Sequence, residues 1–186
     1  MGTGAAEYNQ KSRTNDWAAL CDASGTFNHP DLRRLLGLWR GKAKNGIPLR
    51  SDMTPRVLKG LLQDTAICRR IAGDGGERRW RVCRQGAWFA QILGDFNGKF
   101  LDEVLPPELL PRLQTALDVA LAEGAPLRFL GRTDTNAMSF LNGEYFVAPL
   151  IADDGSASFI LASGRFRGGR SWEEVEAEAR QALGPE

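Results

Sequence analysis

The chain has 186 residues, of which 42% are hydrophobic and 25% are charged. This length and composition are typical of one soluble globular domain with short extensions, and they exclude disorder, collagen and coiled coil for the whole chain. The longest stretches without a charged residue, 85–94 and 155–164, are ten residues each. A membrane-spanning helix needs about 20 apolar residues, so none is predicted, and the N-terminus has no pattern of a secretory signal.

The cysteine and histidine content limits the chemistry further. Cys21, Cys68 and Cys83 form no CxxC pair, which favours a reducing cytoplasm over a disulfide framework or a thiolate metal site. His29 is the single histidine, so a multi-histidine zinc site is excluded. Because no nucleophile motif accompanies His29, we expect it to cap or pack at the start of a helix.

Charge is divided unevenly between the two halves of the chain. Residues 1–93 hold 16 Lys/Arg and 8 Asp/Glu, a net +8, whereas residues 94–186 hold 8 and 15, a net −7. A basic half is compatible with a nucleic-acid or acidic partner, and equally with two halves that lie against each other or dimerise. The basic cluster worth testing as a binding surface is the predicted hairpin Arg69–Arg84. Instead of binding a partner, this cluster could be a solvated face or could pair with the acidic C-terminal helix.

Residues 1–28 are predicted to form a loose N-terminal arm with one apolar segment at Trp17 to Cys21. From Pro30 an amphipathic helix is predicted, which Lys44-Asn45-Gly46 would end. Its apolar stripe has no partner nearby in the sequence, so we expect a dimer or docking interface there. The stripe consists of Leu32, Leu35, Leu36 and Trp39.

The remaining pattern predicts an α+β domain with an antiparallel sheet. The predicted strands are 61–71, 79–84, 126–133, 138–151 and 157–166, with a glycine-rich loop at 72–77 between the first two. Helices are predicted at 106–123 and after the Ser171 to Glu174 capping box. Pro149 predicts a bulge or an edge in its strand.

The order of these elements and their motifs resembles a PAS domain, and more narrowly a family of small bacterial PAS-like proteins. The resemblance covers residues 29–167, with 1–28 as an arm and 168–186 as a C-terminal helix. It is carried by the His29-Pro30-Asp31-Leu32 and Trp80-Arg81-Val82 motifs and by three longer segments. Those segments are Pro48 to Pro55, Gly94 to Leu101 and the hairpin Ala148 to Gly155.

The resemblance implies a five-stranded antiparallel sheet of order 2-1-5-4-3, with helices crossing one face around an apolar cavity. The residues expected to line a ligand site there are Trp80, Arg81, Val82, Trp88, Phe89, Leu93, Phe96, Asn97 and Phe100. Of these, Arg81 or Asn97 would be the polar anchor. The alternative is that the aromatic side chains simply fill the core.

No cofactor is predicted. Haem-binding PAS sensors use an axial ligand inside the core, whereas His29 lies ahead of the first helix. Flavin-binding light sensors of the superfamily carry a cysteine where this chain has Gly98. The chain also departs from the family pattern at Arg84-Gln85, which replace an expected Gly-Thr pair.

These observations predict a cytoplasmic, non-enzymatic sensory or interaction module in bacterial signalling. It would bind a small molecule or a protein partner, with a homodimer expected and no membrane contact. One alternative is a protein interaction scaffold with a filled core. A second is an enzyme that uses Arg81 or Arg84 as an anion clamp and Asp95 as a base. A third is nucleic-acid binding by the basic hairpin.

Overall fold

The structure, a computed structural model, describes residues 3–43, 46–72 and 76–183. Within these ranges the strands are β1 Ala19–Asp22, β2 Thr65–Ala72, β3 Arg78–Gln85, β4 Leu127–Arg132, β5 Asn142–Ile151 and β6 Ala157–Arg167. The α-helices are α1 Thr3–Thr14, α2 Pro30–Lys42, α3 Ala87–Leu93, α4 Leu101–Val104, α5 Leu110–Glu123 and α6 Trp172–Leu183. The predicted helix stop at Lys44-Asn45 and the middle of the predicted glycine loop, 73–75, lie outside the described residues.

All six described strands belong to one sheet of order β1-β4-β5-β6-β2-β3, and every neighbouring pair is antiparallel. Strands β2 to β6 confirm the predicted order, and the α+β class is confirmed with them. The predicted number of five strands is wrong by one, because β1 adds a sixth strand beside β4. Pro149 lies in the interior strand β5, and the register shifts after Leu150, so a bulge forms near it but no edge.

Strand β1 and helix α1 occupy the segment that the sequence predicts to be a loose arm. Tyr8 is 2% exposed and Leu20 is 1% exposed, so both elements belong to the core. The Asn9 side chain accepts from the backbone N–H of Cys21 and donates to its carbonyl, at 2.7 and 3.0 Å. These bonds satisfy the backbone of a short edge strand that could not persist alone. The expectation of an arm is therefore corrected for residues 3–22.

Helices cover both faces of the sheet, with α2 on the face opposite α1, α4 and α5. Successive side chains of a strand point to opposite faces. On β5, Val147 packs in the core formed with α1, α4 and α5. Its neighbours Phe146 and Ala148 pack in a second core with α2.

Helix α2 begins at His29, whose side chain accepts from the Asp31 N–H at 3.2 Å, so the predicted cap is confirmed. Its predicted interface is wrong for this structure, because the stripe is buried against the chain's own sheet. The exposed fractions are 0% for Leu32, 0% for Leu35, 7% for Leu36 and 5% for Trp39. The Trp39 Nε1–H donates to the Pro149 carbonyl at 2.9 Å, which fixes the helix on β5.

Helix α6 begins with the predicted capping box: Ser171 N–H donates to the Glu174 carboxylate, and Glu174 N–H donates to the Ser171 hydroxyl. Two side chains of α6, Trp172 and Ala179, pack against Leu20 of β1 and Leu130 of β4. The acidic side chains of α6 form ion pairs close by, Glu178 with Arg170 and Glu176 with Arg180. No ion pair among the described residues joins α6 to the basic hairpin.

Candidate functional site

A cavity of about 140 Å³ lies between α5 and the sheet, on the face opposite α2. Small side chains leave this space: Ala66 on β2, Ala116 on α5 and Ala162 on β6 all line it. Larger apolar side chains complete the wall, among them Val82, Phe89, Leu93, Phe96, Leu101, Leu113, Phe129 and Val147. The result is an apolar compartment in an otherwise close-packed core.

Four residues of the predicted ligand set line this cavity: Val82, Phe89, Leu93 and Phe96. Trp80 is buried at 1% exposure but packs beside the cavity, where its Nε1–H donates to Asp118 at 3.0 Å. Trp80 is therefore a core residue and not part of the cavity wall.

Phe100 and the two predicted polar anchors lie at the edge of the sheet. The Val82 N–H donates to the Lys99 carbonyl at 2.9 Å, so the segment 98–100 pairs along the free edge of β3. Arg81 is exposed and donates to the Gly98 carbonyl, and Asn97 is exposed as well. Neither anchor reaches the cavity, which corrects that part of the predicted site.

Trp88 also lies away from the cavity wall. It is half-buried, and its ring contacts Phe166 with centroids 5.6 Å apart. The Arg165 guanidinium lies 5.8 Å from the Trp88 ring. Trp88 therefore covers the ion pairs that Arg165 makes with Asp31 and Asp64.

The polar end of the cavity was not anticipated from the sequence. It is formed by Arg112 from the first turn of α5, by Thr133, Asp134 and Thr135 after β4, and by Tyr145 on β5. Several lining side chains at this end are only partly buried. The cavity therefore approaches solvent between the start of α5 and the loop that follows β4.

Two arginines hold Asp134 in place at the polar end. Arg112 donates to the Asp134 carboxylate at 2.8 Å and to the Arg132 carbonyl at 2.7 Å. Arg132 donates to the other carboxylate oxygen at 2.6 Å. Because Arg112 belongs to α5, whereas Arg132 ends β4 and Asp134 follows it, these bonds connect the helix to the sheet across the cavity mouth.

The hydroxyl groups at this end are incompletely satisfied. The Thr133 and Tyr145 hydroxyls share one hydrogen bond of 3.3 Å. The Thr135 hydroxyl is buried and has no hydrogen-bond partner among the described residues. Burial raises the pKa of Tyr145, and of Tyr8 in the same wall, so both phenols stay protonated near neutral pH. A buried hydroxyl without a partner has a free-energy cost that a suitable ligand would remove.

Gln85 stands where the sequence departs from the family pattern, and it shapes the cavity. Its amide donates to the Gly94 carbonyl at 3.0 Å and accepts from the Phe96 N–H at 2.8 Å. These bonds hold the turn after α3, so that Phe96 lies in the cavity wall. At this position Gln85 is a lining residue with both ends of its amide engaged.

Most charged side chains of the basic hairpin lie on the face of the sheet opposite the cavity, whereas Arg70 lies on the cavity side, 3.6 Å from Asp118 of α5. Arg69 and Arg81 are directly paired across β2 and β3, and Arg69 lies 5.2 Å from the Phe159 ring. The pKa of Arg84 is lowered by its partial burial and by the charge of Arg50. Among the described residues, no ion pair joins a carboxylate to Arg50, Arg69, Arg81 or Arg84. Arg79, by contrast, is paired with Asp102 and Glu103 at 2.7 and 3.1 Å.

An antiparallel sheet with a cavity between it and a helix is the PAS type of α+β fold. A family model described as PAS domain matches residues 27–163. The chain belongs to the PAS domain family. No curated protein matches it.

Three solved structures are similar to the chain. One is a sensory box sensor histidine kinase from Vibrio cholerae, with 17% identity and a TM-score of 0.44, covering 61% of this chain and 89% of that one. Another is an RNA-binding light-oxygen-voltage receptor, with 15% identity, a TM-score of 0.46 and coverage of 70% and 38%. A third is the light state of the blue-light photoreceptor Aureochrome1 LOV, with 14% identity, a TM-score of 0.42 and coverage of 68% and 98%.

In the described part of the chain, no helix has the length and apolar character of a membrane-spanning segment. No group of three or more His, Cys, Asp or Glu side chains in it is arranged to hold a metal ion.

Proposed function

We propose that this PAS domain is a sensor module whose cavity binds a small, mainly apolar molecule with one polar group. The observation that carries the proposal is the cavity itself, with the unpartnered Thr135 hydroxyl buried in its wall. An apolar wall with a few converging polar groups is the usual composition of a small-molecule site. The alternative of a completely filled core is disfavoured by the same observation.

The volume limits the size of the ligand. A cavity of about 140 Å³ is close to the engineered cavity of about 150 Å³ that accepts benzene. Sites for drug-sized molecules are larger, at roughly 300–1,000 Å³. The expected ligand is therefore one ring or a short chain, with its polar group directed toward Arg112 and Thr135.

The cavity has no arrangement typical of general acid–base catalysis. Asp134 accepts from two guanidinium groups, and burial raises the pKa of the phenol of Tyr145. The raised pKa keeps the Tyr145 phenol protonated near neutral pH, so this group is not available as a base. Asp95, the base of the alternative enzyme hypothesis, is exposed. We therefore propose a non-enzymatic role.

A ligand shifts a conformational equilibrium only if it binds one conformation better than the other. The element best placed to respond is the Arg112–Asp134 ion pair of 2.8 Å, which joins α5 to the segment after β4 at the cavity mouth. We propose that occupancy changes this junction and so changes what the module binds. A partner or a second copy would have to contact a surface other than the buried α2 stripe.

We further propose a cytoplasmic location and a place in bacterial signalling. The location is supported by three free cysteines, of which Cys21 and Cys68 are buried. Burial raises the pKa of Cys68 to about 12, so this thiol stays protonated and behaves as a small apolar side chain.

The test is a titration of the full chain with toluene, in which the temperature of thermal unfolding is measured at each toluene concentration. A ligand that binds only the folded state adds RT ln(1 + [L]/Kd) to the free energy of unfolding, and so raises the unfolding temperature. We expect a saturable rise for the unsubstituted chain and none for Ala116→Leu, which fills the cavity. Native mass spectrometry of freshly purified chain would show a co-purifying ligand.

The matched control is Ala120→Leu, on the same helix. Ala120 is fully buried but does not line the cavity, so this variant should keep the toluene response. The proposal fails if the unsubstituted chain shows no response up to the solubility limit of toluene. It also fails if Ala116→Leu responds as strongly as the unsubstituted chain.

A further inference from the structure

We propose that the ligand is a small monocarboxylate, with its carboxylate held by Arg112 and Thr135 and its apolar part in the alanine-lined body of the cavity. This inference rests on the proposed function, because it names the chemistry of the molecule that the cavity takes.

Several hydrogen-bond donors at the polar end are not used by the described residues. Both oxygens of Asp134 already accept from arginines, at 2.8 and 2.6 Å. The Thr135 O–H has no acceptor among the described residues. Thr133 and Tyr145 share one hydrogen bond, so one of their two hydroxyl hydrogens is not used in it. A ligand group that only accepts hydrogen bonds complements this set.

The local charge favours an anion. Arg112 and Arg132 together oppose the single charge of Asp134. The Arg112 side chain is 17% exposed. Its guanidinium has five N–H donors, and hydrogen bonds to Asp134 and to the Arg132 carbonyl use two of them. A charge-assisted bond from a partly buried arginine is among the stronger hydrogen bonds in proteins.

The rest of the cavity cannot satisfy a second charged group. Away from the mouth, the lining is almost entirely apolar, and Gln85 has both ends of its amide engaged with the backbone of Gly94 and Phe96. A dicarboxylate would therefore bury a charge without a partner, which is strongly unfavourable. One carboxylate on a ring or short chain fits both the volume and the polarity.

The test compares benzoate with nitrobenzene and toluene, each titrated into the full chain at pH 7 by isothermal calorimetry or thermal unfolding. Nitrobenzene has nearly the shape of benzoate without its net charge. We expect benzoate to bind at least tenfold more tightly than nitrobenzene, the factor typical of hydrogen bonds to a charged group. Arg112→Met should weaken benzoate about tenfold or more and leave toluene affinity within about twofold.

Arg132→Met is the matched control, because Arg132 also pairs with Asp134 but does not line the cavity. It should retain benzoate affinity. Thr135→Val should weaken benzoate about threefold to tenfold with toluene unaffected. The carboxylate inference is overturned if nitrobenzene binds as tightly as benzoate, or if Arg132→Met and Arg112→Met weaken benzoate equally. If toluene does not bind the unsubstituted chain, the result counts against the proposed function itself.

Discussion

The two faces of the sheet are built from the same strands, yet one is packed solid and the other encloses a cavity. On the α2 face, large side chains such as Leu35, Trp39 and Phe146 meet, at 0%, 5% and 0% exposure. On the α5 face, Ala66, Ala116 and Ala162 leave about 140 Å³ unfilled. Dense packing on one face therefore supplies contacts that the side chains around the cavity lack, so the two faces contribute differently to stability.

The largest expected difference between the two faces comes from removing a leucine on each. Leu35→Ala should lower the free energy of unfolding by about 2–5 kcal/mol, because it opens a void in a dense core. Leu113→Ala should cost on the order of 1 kcal/mol, since this side chain is partly exposed and already borders the cavity. Urea denaturation of both variants measures the difference. Equal losses would show that the two faces are packed alike.

Enlarging an alanine on α5 should distinguish cavity from core within one helix. Ala120→Leu should lower the free energy of unfolding by about 1–3 kcal/mol, because there is no space for the added carbons. Ala116→Leu should be neutral or stabilising, since its side chain enters the cavity. The measurement is again the urea midpoint at constant m-value. A large loss in Ala116→Leu would mean that the cavity does not extend beside this residue.

Removing a hydroxyl at the polar end should have opposite effects at two neighbouring threonines. Thr135→Val should leave stability unchanged or raise it by up to about 1 kcal/mol, because the buried hydroxyl has no partner. Thr133→Val should cost about 1 kcal/mol, since it leaves the Tyr145 hydroxyl without its bond. Thermal unfolding without ligand is the readout. Destabilisation of Thr135→Val by as much as Thr133→Val would contradict an unpartnered hydroxyl.

The smallest effect is expected at Asp31, where the α2 face is joined to β6. A hydrogen bond from Arg165 holds the pKa of Asp31 below its usual value. The folded chain therefore binds this proton less readily than the unfolded chain, so the stability is present at neutral pH and is lost as pH falls below about 4. Because the Asp31 side chain is 41% exposed, Asp31→Asn should cost less than about 1 kcal/mol at pH 7.

The control for Asp31→Asn is Glu108→Gln, at an exposed position. The stability difference between the original chain and Asp31→Asn should shrink as pH is lowered toward 3. The Glu108→Gln variant should differ little from the original chain at any pH. An Asp31 difference that persists at pH 3 would show that the ionised carboxylate is not its source.

Local patterns in the sequence were enough for most elements, whereas the order of five strands was implied by the resemblance to PAS domains. The stripe from Leu32 to Trp39 predicts α2, and the Ser171 to Glu174 box predicts the start of α6, because both depend on neighbouring residues. The same reasoning failed for the partner of α2. The periodicity of a helix shows which side chains will be buried, but not whether the chain's own sheet or another molecule buries them.

The candidate site was predicted only in part, for a related reason. Val82, Phe89, Leu93 and Phe96 were identified because the resemblance to PAS domains implies a cavity beside the apolar segments that hold them. Arg112, Thr135 and Tyr145 come from separate elements and form no motif, so no local signal marks them. The edge strand β1 was missed because its four residues are stabilised by pairing with β4 and by the Asn9 side chain.

The sequence by itself determined the class of fold, the cap at His29 and the apolar character of the central helix and strands. These follow from composition, from periodicity and from contacts between residues close in the chain. Only the tertiary structure decided that Arg112 and Thr135 meet at one end of a cavity, and that the α2 stripe is internal. Both depend on long-range packing, where the sizes of side chains on distant segments determine which surfaces are filled and which space stays open.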